Sequence, residues 1–171
     1  MSETNNRLLS VENLNTGYAG VPVVRDIHLH LDEGEVVALL GPNGAGKTTT
    51  LLTISGIIPL LSGDINILGD AVDTKNPYKN ARLGLSHVAE DRSLFFNLTV
   101  KENLQLGLRG DQAIQQEGME RALELLPALK PLMDRRSGLL SGGEQQMLAM
   151  ARALVSKPKI VRKLNVINTK L

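Results

Sequence analysis

Gly41-Pro42-Asn43-Gly44-Ala45-Gly46-Lys47-Thr48 carries the spacing G-x-x-x-x-G-K-[ST]. The apolar run Val36-Val37-Ala38-Leu39-Leu40 precedes it, and a helix-forming run from Thr49 to Ser55 follows. Strand, loop and helix in that order are what the pattern needs. The glycines let consecutive backbone N–H groups turn inward around an anion. The helix that starts at the loop adds the partial positive charge of its N-terminus. Lys47 is placed to reach a β- or γ-phosphate as a point charge, and the Thr48 hydroxyl to bind Mg²⁺. The expected nucleotide contacts are therefore Gly41, Pro42, Asn43, Gly44, Ala45, Gly46, Lys47, Thr48 and Thr49. The bland alternative is a glycine-rich turn that only joins strand to helix.

Working outward, Leu8 to Leu14 and Ile27 to Leu31 read as short strands. His28 and His30 alternate with Ile27, Leu29 and Leu31, the period of a half-buried strand with the histidines on its wet face. Val36 to Leu40 reads as a continuous apolar strand, as in a sheet covered on both faces. The helix from about Lys47 to Ser55 stops near Gly56. Gly63 to Leu68 is a further strand, Pro77 to Leu83 a short helix, and Leu83 to Val88 another strand. Beyond it the periodicity turns helical, over Val100 to Leu108 and Ala113 to Leu126. Thr99, with Glu102 three residues on, forms a capping-box pattern.

The bulk properties bound the function. The chain has 171 residues, enough for one real core, with 42% hydrophobic and 22% charged residues. Its net charge of +1 gives no argument for nucleic acid, and the absence of cysteine excludes disulfides and thiolate metal sites. No stretch approaches the roughly 18 unbroken apolar residues of a membrane span, and the polar N-terminus leads into no secretory segment. A membrane role must be borrowed from a partner.

The second decisive stretch is Leu140-Ser141-Gly142-Gly143-Glu144-Gln145. Ser141 is a good N-cap, the glycines leave the next amides bare, and a helix from Glu144 to about Val155 points its positive end outward. The pair of anion sites resembles the ATP-binding-cassette (ABC) family, whose signature is LSGGQ. The fold this implies is an α/β P-loop NTPase of ABC type. It has a central, mostly parallel sheet, an N-terminal antiparallel β region and an inserted helical subdomain. The expected division is a core over 1–91, a helical subdomain over 92–139, the signature and its helix over 140–157, and a non-family tail over 160–171.

What the resemblance implies for individual residues can be stated position by position. Tyr18 matches the aromatic that stacks on adenine, the alternative being a packed tyrosine. Glu90 stands at the Q-loop position, where a carboxylate can join Thr48 on Mg²⁺, or is a solvated loop acid. Leu140, Ser141, Gly142, Gly143, Glu144 and Gln145 would act in trans, on nucleotide held by a second nucleotide-binding subunit packed head to tail. ATP and Mg²⁺ are the implied cofactors, transmembrane permease subunits the implied further partners, and nucleic acid is not implied. The place implied is cytoplasmic, peripheral at the inner face of the cell membrane.

The segment Glu90 to Leu104 is similar to the ATPase subunits of branched-chain amino acid importers, with departures at Ala89, Asp91, Phe96-Asn97 and Lys101. Phe95 and Phe96 would dock a partner helix or pack in the helical subdomain. Chromosome-type relatives carry a coiled coil between the two motifs, and no heptad run lies between Thr48 and Leu140. No Asn-Lys-x-Asp element argues for guanine.

Family members continue past Pro-Lys-Ile into an apolar strand ending in Asp-Glu. Here Arg162 and Lys163 interrupt that strand, and Glu144 is the last acidic residue of the 171. His87 precedes the helical segment and does not match the switch histidine. No catalytic residue is therefore assigned: the Walker B Asp and the catalytic Glu have no counterpart. The tail reads as a foreign ending, of the kind a frameshift gives. The expectation is an importer ATPase subunit that binds ATP and does not turn it over alone, with exposed apolar sheet surface. The alternative is a non-catalytic nucleotide-binding or interaction fragment.

Overall fold

In the computed structural model the described residues are 6–74, 76–88 and 92–163. Glu90 and the tail 164–171 therefore lie outside them. The chain divides into two compact units with the boundary between Leu85 and Ser86.

The first unit is built on a hairpin longer than the two short strands expected. Strands β1 (Arg7–Tyr18) and β2 (Val21–Asp32) pair antiparallel through the turn Ala19-Gly20. Both turn residues have positive φ, 49° and 79°, which matches the right-handed twist of the strands they join. Register shifts break the hairpin, with Asn13 and Asp26 left-handed at φ 50° and 51°. They also break the alternation of apolar residues by which a sequence announces a strand. Strand β3 (Leu60–Ile67) adds to β1 antiparallel, and β4 (Asp70–Ala71) follows, in the order β2-β1-β3-β4. His28 and His30 are exposed, as the alternation predicts.

Helix α1 (Lys47–Ile54) ends at Ser55 with a left-handed Gly56, close to the expected stop. Helix α2 (Pro77–Arg82) is capped by Asn76, whose side chain accepts from the Lys79 N–H. Leu9, Val11, Leu14, Val24, Ile54, Ile58, Ile65 and Ile67 are the buried apolar residues of this unit's strands, of α1 and of the loop that follows it.

The strand expected at Val36 to Leu40 is not formed. The backbone there is irregular, and Val36 and Leu40 are 95% and 85% exposed. An apolar run becomes a strand only where another strand supplies its ladder of hydrogen bonds. Among the described residues none does. What is exposed here is an unpaired apolar segment, not the apolar sheet surface expected from the sequence.

Strand β5 (Leu85–Val88) leads into the second unit and pairs with β6 (Ile160–Lys163). Among the described residues this pair is all that stands for the central sheet. Helices α3 (Val100–Gln105), α4 (Gln112–Leu125) and α5 (Gly142–Leu154) make up most of the rest. Leu148, Ala151 and Val155, spaced three and four apart, place one face of α5 and its C-cap in a core with Leu94, Val100, Leu104, Ala122 and Leu129. Helix α4 approaches closely at Gly118, where a Cβ would meet the Val155 carbonyl oxygen at 2.2 Å. Arg121 donates to the Leu154 carbonyl at 3.0 Å, and Lys157 pairs with Glu117.

The loop before α3 is held by Asn103, which is fully buried. Its Oδ1 accepts from the Phe95 N–H at 3.0 Å, and its Nδ2 faces the carbonyls of Phe95 at 3.1 Å and Thr99 at 3.0 Å. The Ser137 hydroxyl also donates to the Phe95 carbonyl, at 2.9 Å. The Thr99–Glu102 capping box forms as expected.

Candidate nucleotide site

The loop between Gly41 and Gly46 is shaped by glycines with positive φ, and at one of them a side chain would also be obstructed. Gly46, the N-cap of α1, has φ 81°, and a Cβ there would sit 2.3 Å from Val24 Cγ2 on β2. No side chain caps α1 and no acid lies in its first turn. The only amide of the loop that is internally bonded is Ala45, which donates to the Pro42 carbonyl at 3.3 Å. The N–H groups of Gly44, Gly46, Lys47, Thr48 and Thr49 have no partner among the described residues. Bare amides at an uncapped helix N-terminus form a site for an anion with several oxygens.

Lys47 completes the site. Its Nζ donates to the carbonyls of Gly41 at 2.8 Å and Pro42 at 2.7 Å, which holds the ammonium at the loop. Exchanging neutral carbonyls for phosphate oxygens would give stronger, charge-assisted bonds. The Thr48 hydroxyl has no partner among the described residues and is half-buried. The Thr49 side chain is buried, so only its amide is available to a ligand. The donor set fits a polyphosphate. For Mg²⁺ the described residues offer Thr48, and no cluster of three His, Asp or Glu side chains. Glu90, the other expected ligand, lies outside the described residues. Tyr18 is 54% exposed at the end of β1, so it is not the packed tyrosine of the alternative.

In the second unit the signature stretch also takes the expected local form. Ser141 caps α5, its hydroxyl accepting from the Glu144 N–H at 3.3 Å, while Glu144 Oε2 accepts from the Ser141 N–H at 2.7 Å. These bonds to Ser141, backbone first, hold the Glu144 carboxyl below its usual pKa, and Arg135 adds a smaller Coulombic pull. Ser141, Gly142 and Gly143 are exposed, and nothing lies within 4 Å of a Cβ built on Gly143. The amides of Gly142 and Gly143 have no partner among the described residues. Leu140 is buried beneath them. Gln145 turns back into its own unit, donating to the Leu140 carbonyl at 3.2 Å and accepting from Arg92 at 2.7 Å. It braces the turn and does not face outward.

A matched family model described as ABC transporter covers residues 24–162. The chain belongs to the ABC transporter family. Among its relatives is the high-affinity branched-chain amino acid transport ATP-binding protein BraG of Pseudomonas aeruginosa. It is 40% identical over 155 residues, which are 90% of this chain and 66% of the relative. The lipopolysaccharide export system ATP-binding protein LptB of Escherichia coli K12 is 39% identical over 157 residues, 90% of this chain and 65% of the relative. A solved ATP-binding subunit of an ABC transporter superposes with a TM-score of 0.80 at 28% identity, over 91% of this chain and 65% of that one. The chain thus spans about two thirds of the length of these relatives. The fold is that of the ABC cassette, a P-loop NTPase with mixed α and β structure, of which this chain covers a part.

Residues not singled out from the sequence shape a cleft in the second unit. Arg92 reaches Gln145, and Arg152 donates to the Ser93 carbonyl at 2.7 Å. Both belong to a cleft of about 370 Å³ lined also by His87, Phe95, Leu106 and Arg109. Phe95 and Phe96 are 55% and 52% exposed, so the core-packing alternative does not hold for them. Only their position beside the matched segment could have drawn attention to this cleft.

Proposed function

We propose that this chain is the ATP-binding part of an importer subunit, taking up branched-chain amino acids with its permease partners. The observation that carries the reading is the row of bare amides at the N-terminus of α1, with Lys47 over the loop. The amides and ammonium bind triphosphate, Thr48 and Glu90 hold Mg²⁺, and Tyr18 stacks on the base. Magnesium supplies charge neutralisation of the phosphates when bound. Ser141, Gly142 and Gly143, the exposed part of the signature stretch, serve a nucleotide held by a second subunit, while Leu140, Glu144 and Gln145 hold that turn in shape. The division into 1–91, 92–139, 140–157 and 160–171 follows from the same likeness. The branched-chain assignment is supported by the BraG likeness, while LptB shows that a similar sequence also serves lipopolysaccharide export. Among the described residues no helix is long and apolar enough to cross a membrane; the place proposed for the chain is the inner face of the cell membrane, beside the permease.

The cleft lined by Phe95 and Leu106 is the docking place for that permease. In detergent extracts holding the permease of a BraG-type importer, the tagged chain is expected to retain it, and Phe95→Asp to lose at least about tenfold in retention, the loss of a well-buried aromatic anchor. Equal retention by both, or retention of an LptB-type export permease instead, contradicts the assignment.

A further inference from the structure

Helix α1 is seated on the β1–β2 hairpin at two points. One is Gly46, pressed against Val24, and Val24 is the register partner of Thr16. The other is a pair of buried hydroxyls: Thr16 Oγ1 lies 2.6 Å from Thr53 Oγ1, and both residues are fully buried. Thr53 Oγ1 also lies 2.9 Å from the Thr49 carbonyl oxygen, and Thr16 Oγ1 lies 3.2 Å from that of Pro59. Two hydroxyl protons face three contacts, and the 2.6 Å separation requires a proton between the oxygens. Either Thr16 donates to Thr53 and Thr53 to Thr49, or Thr53 donates to Thr16 and Thr16 to Pro59. In both arrangements the hydroxyl pair bridges strand and helix.

Each end of this bridge leads to a proposed nucleotide contact. Thr49 follows Lys47 and Thr48 in the first turn of α1, and Thr16 stands two residues before Tyr18 on β1. We propose that Thr16 and Thr53 are positioning residues that fix α1 against β1, so that the phosphate loop and Tyr18 grip one nucleotide in register. The inference rests on the assignment of triphosphate to residues 41–48 and of the base to Tyr18. A valine keeps the shape of threonine and removes the hydroxyl, so it uncouples the two elements with little change of volume.

The test is calorimetric titration of the full chain with Mg-ATP and, separately, with magnesium tripolyphosphate, which has phosphates and no base. Wild type is expected to prefer Mg-ATP. Thr53→Val and Thr16→Val are each expected to lose about fivefold of that preference, the weight of one buried hydrogen bond. Their affinity for tripolyphosphate should stay within about twofold. Thr53→Ser, which keeps the hydroxyl, should restore the preference. Thr16→Val leaves the helix sequence intact and carries the test if Thr53→Val unfolds. An unchanged preference in the valine variants overturns the proposal. So does an equal loss for both ligands, or a serine variant that behaves like the valine. Tyr18→Ala separates the two layers. If it keeps the wild-type preference, the base is not on Tyr18 and the proposal falls with that assignment. If it loses the preference while the valine variants do not, only the hydroxyl bridge is refuted.

Discussion

Purified as the 171-residue polypeptide, the chain is expected to release phosphate from Mg-ATP no faster than its Lys47→Ala variant does. Phosphoryl transfer to water has little covalent chemistry for a protein to perform. It depends on charge placed around the γ-phosphate and on a group that orients and polarises the attacking water. On the proposed assignment the loop at residues 41–48 supplies the first, through its amides and the Lys47 ammonium, which sits at the Gly41 and Pro42 carbonyls. Within this 171-residue polypeptide no carboxylate follows α5 to supply the second, and Glu144, in the first turn of α5, is bonded back to Ser141. A positioned general base contributes about 10²–10⁴-fold, so turnover should lie at least about a hundredfold below that of a full-length relative assayed alongside. Steady phosphate release abolished by Lys47→Ala would refute this.

Replacing Asn103 by alanine is expected to destabilise the second unit by about 2–4 kcal/mol. The side chain is fully buried and satisfies the Phe95 N–H and the Phe95 and Thr99 carbonyls together, with Ser137 closing the network. Truncation leaves the Phe95 N–H without its partner and takes one donor from each carbonyl, which keep the Ser137 hydroxyl on Phe95 and the Asn103 N–H on Thr99; an unpaired group costs more than its bond contributes. A loss of that size is a large part of the roughly 5–15 kcal/mol that holds a domain folded. The midpoint of urea unfolding, followed by a probe in this unit, should fall accordingly. Asn97→Ala, at an exposed position of the same loop, should shift stability by no more than about 0.5 kcal/mol. Equal midpoints for the two variants would show that the Asn103 network carries no such weight.

The elements legible in the sequence were those defined by neighbours in the chain. The helix after the phosphate loop, the Thr99–Glu102 box and the Ser141 N-cap all rest on contacts three or four residues apart. Val36 to Leu40 failed as a strand because its apolar character describes what it would cover, while a strand also needs a bonded neighbour. The full length of β1 and β2 was hidden by their register shifts, which spoil the two-residue period. The Thr16–Thr53 pair joins positions 37 apart, and Arg92 reaches Gln145 across 53, so no local pattern points to either. Tyr18 stood out because it matches a family aromatic, and its exposure keeps that role open.

The central claim is that residues 41–48 form a cup of amides that grips triphosphate. Calorimetric titration of Mg-ATP into wild type and Lys47→Ala, both verified as folded by circular dichroism, tests it most directly. Loss of one charge-assisted contact of about 1.5–3 kcal/mol predicts saturable binding by wild type and an affinity about ten- to a hundredfold weaker in the variant. Equal affinities, or no binding by folded wild type, would contradict it.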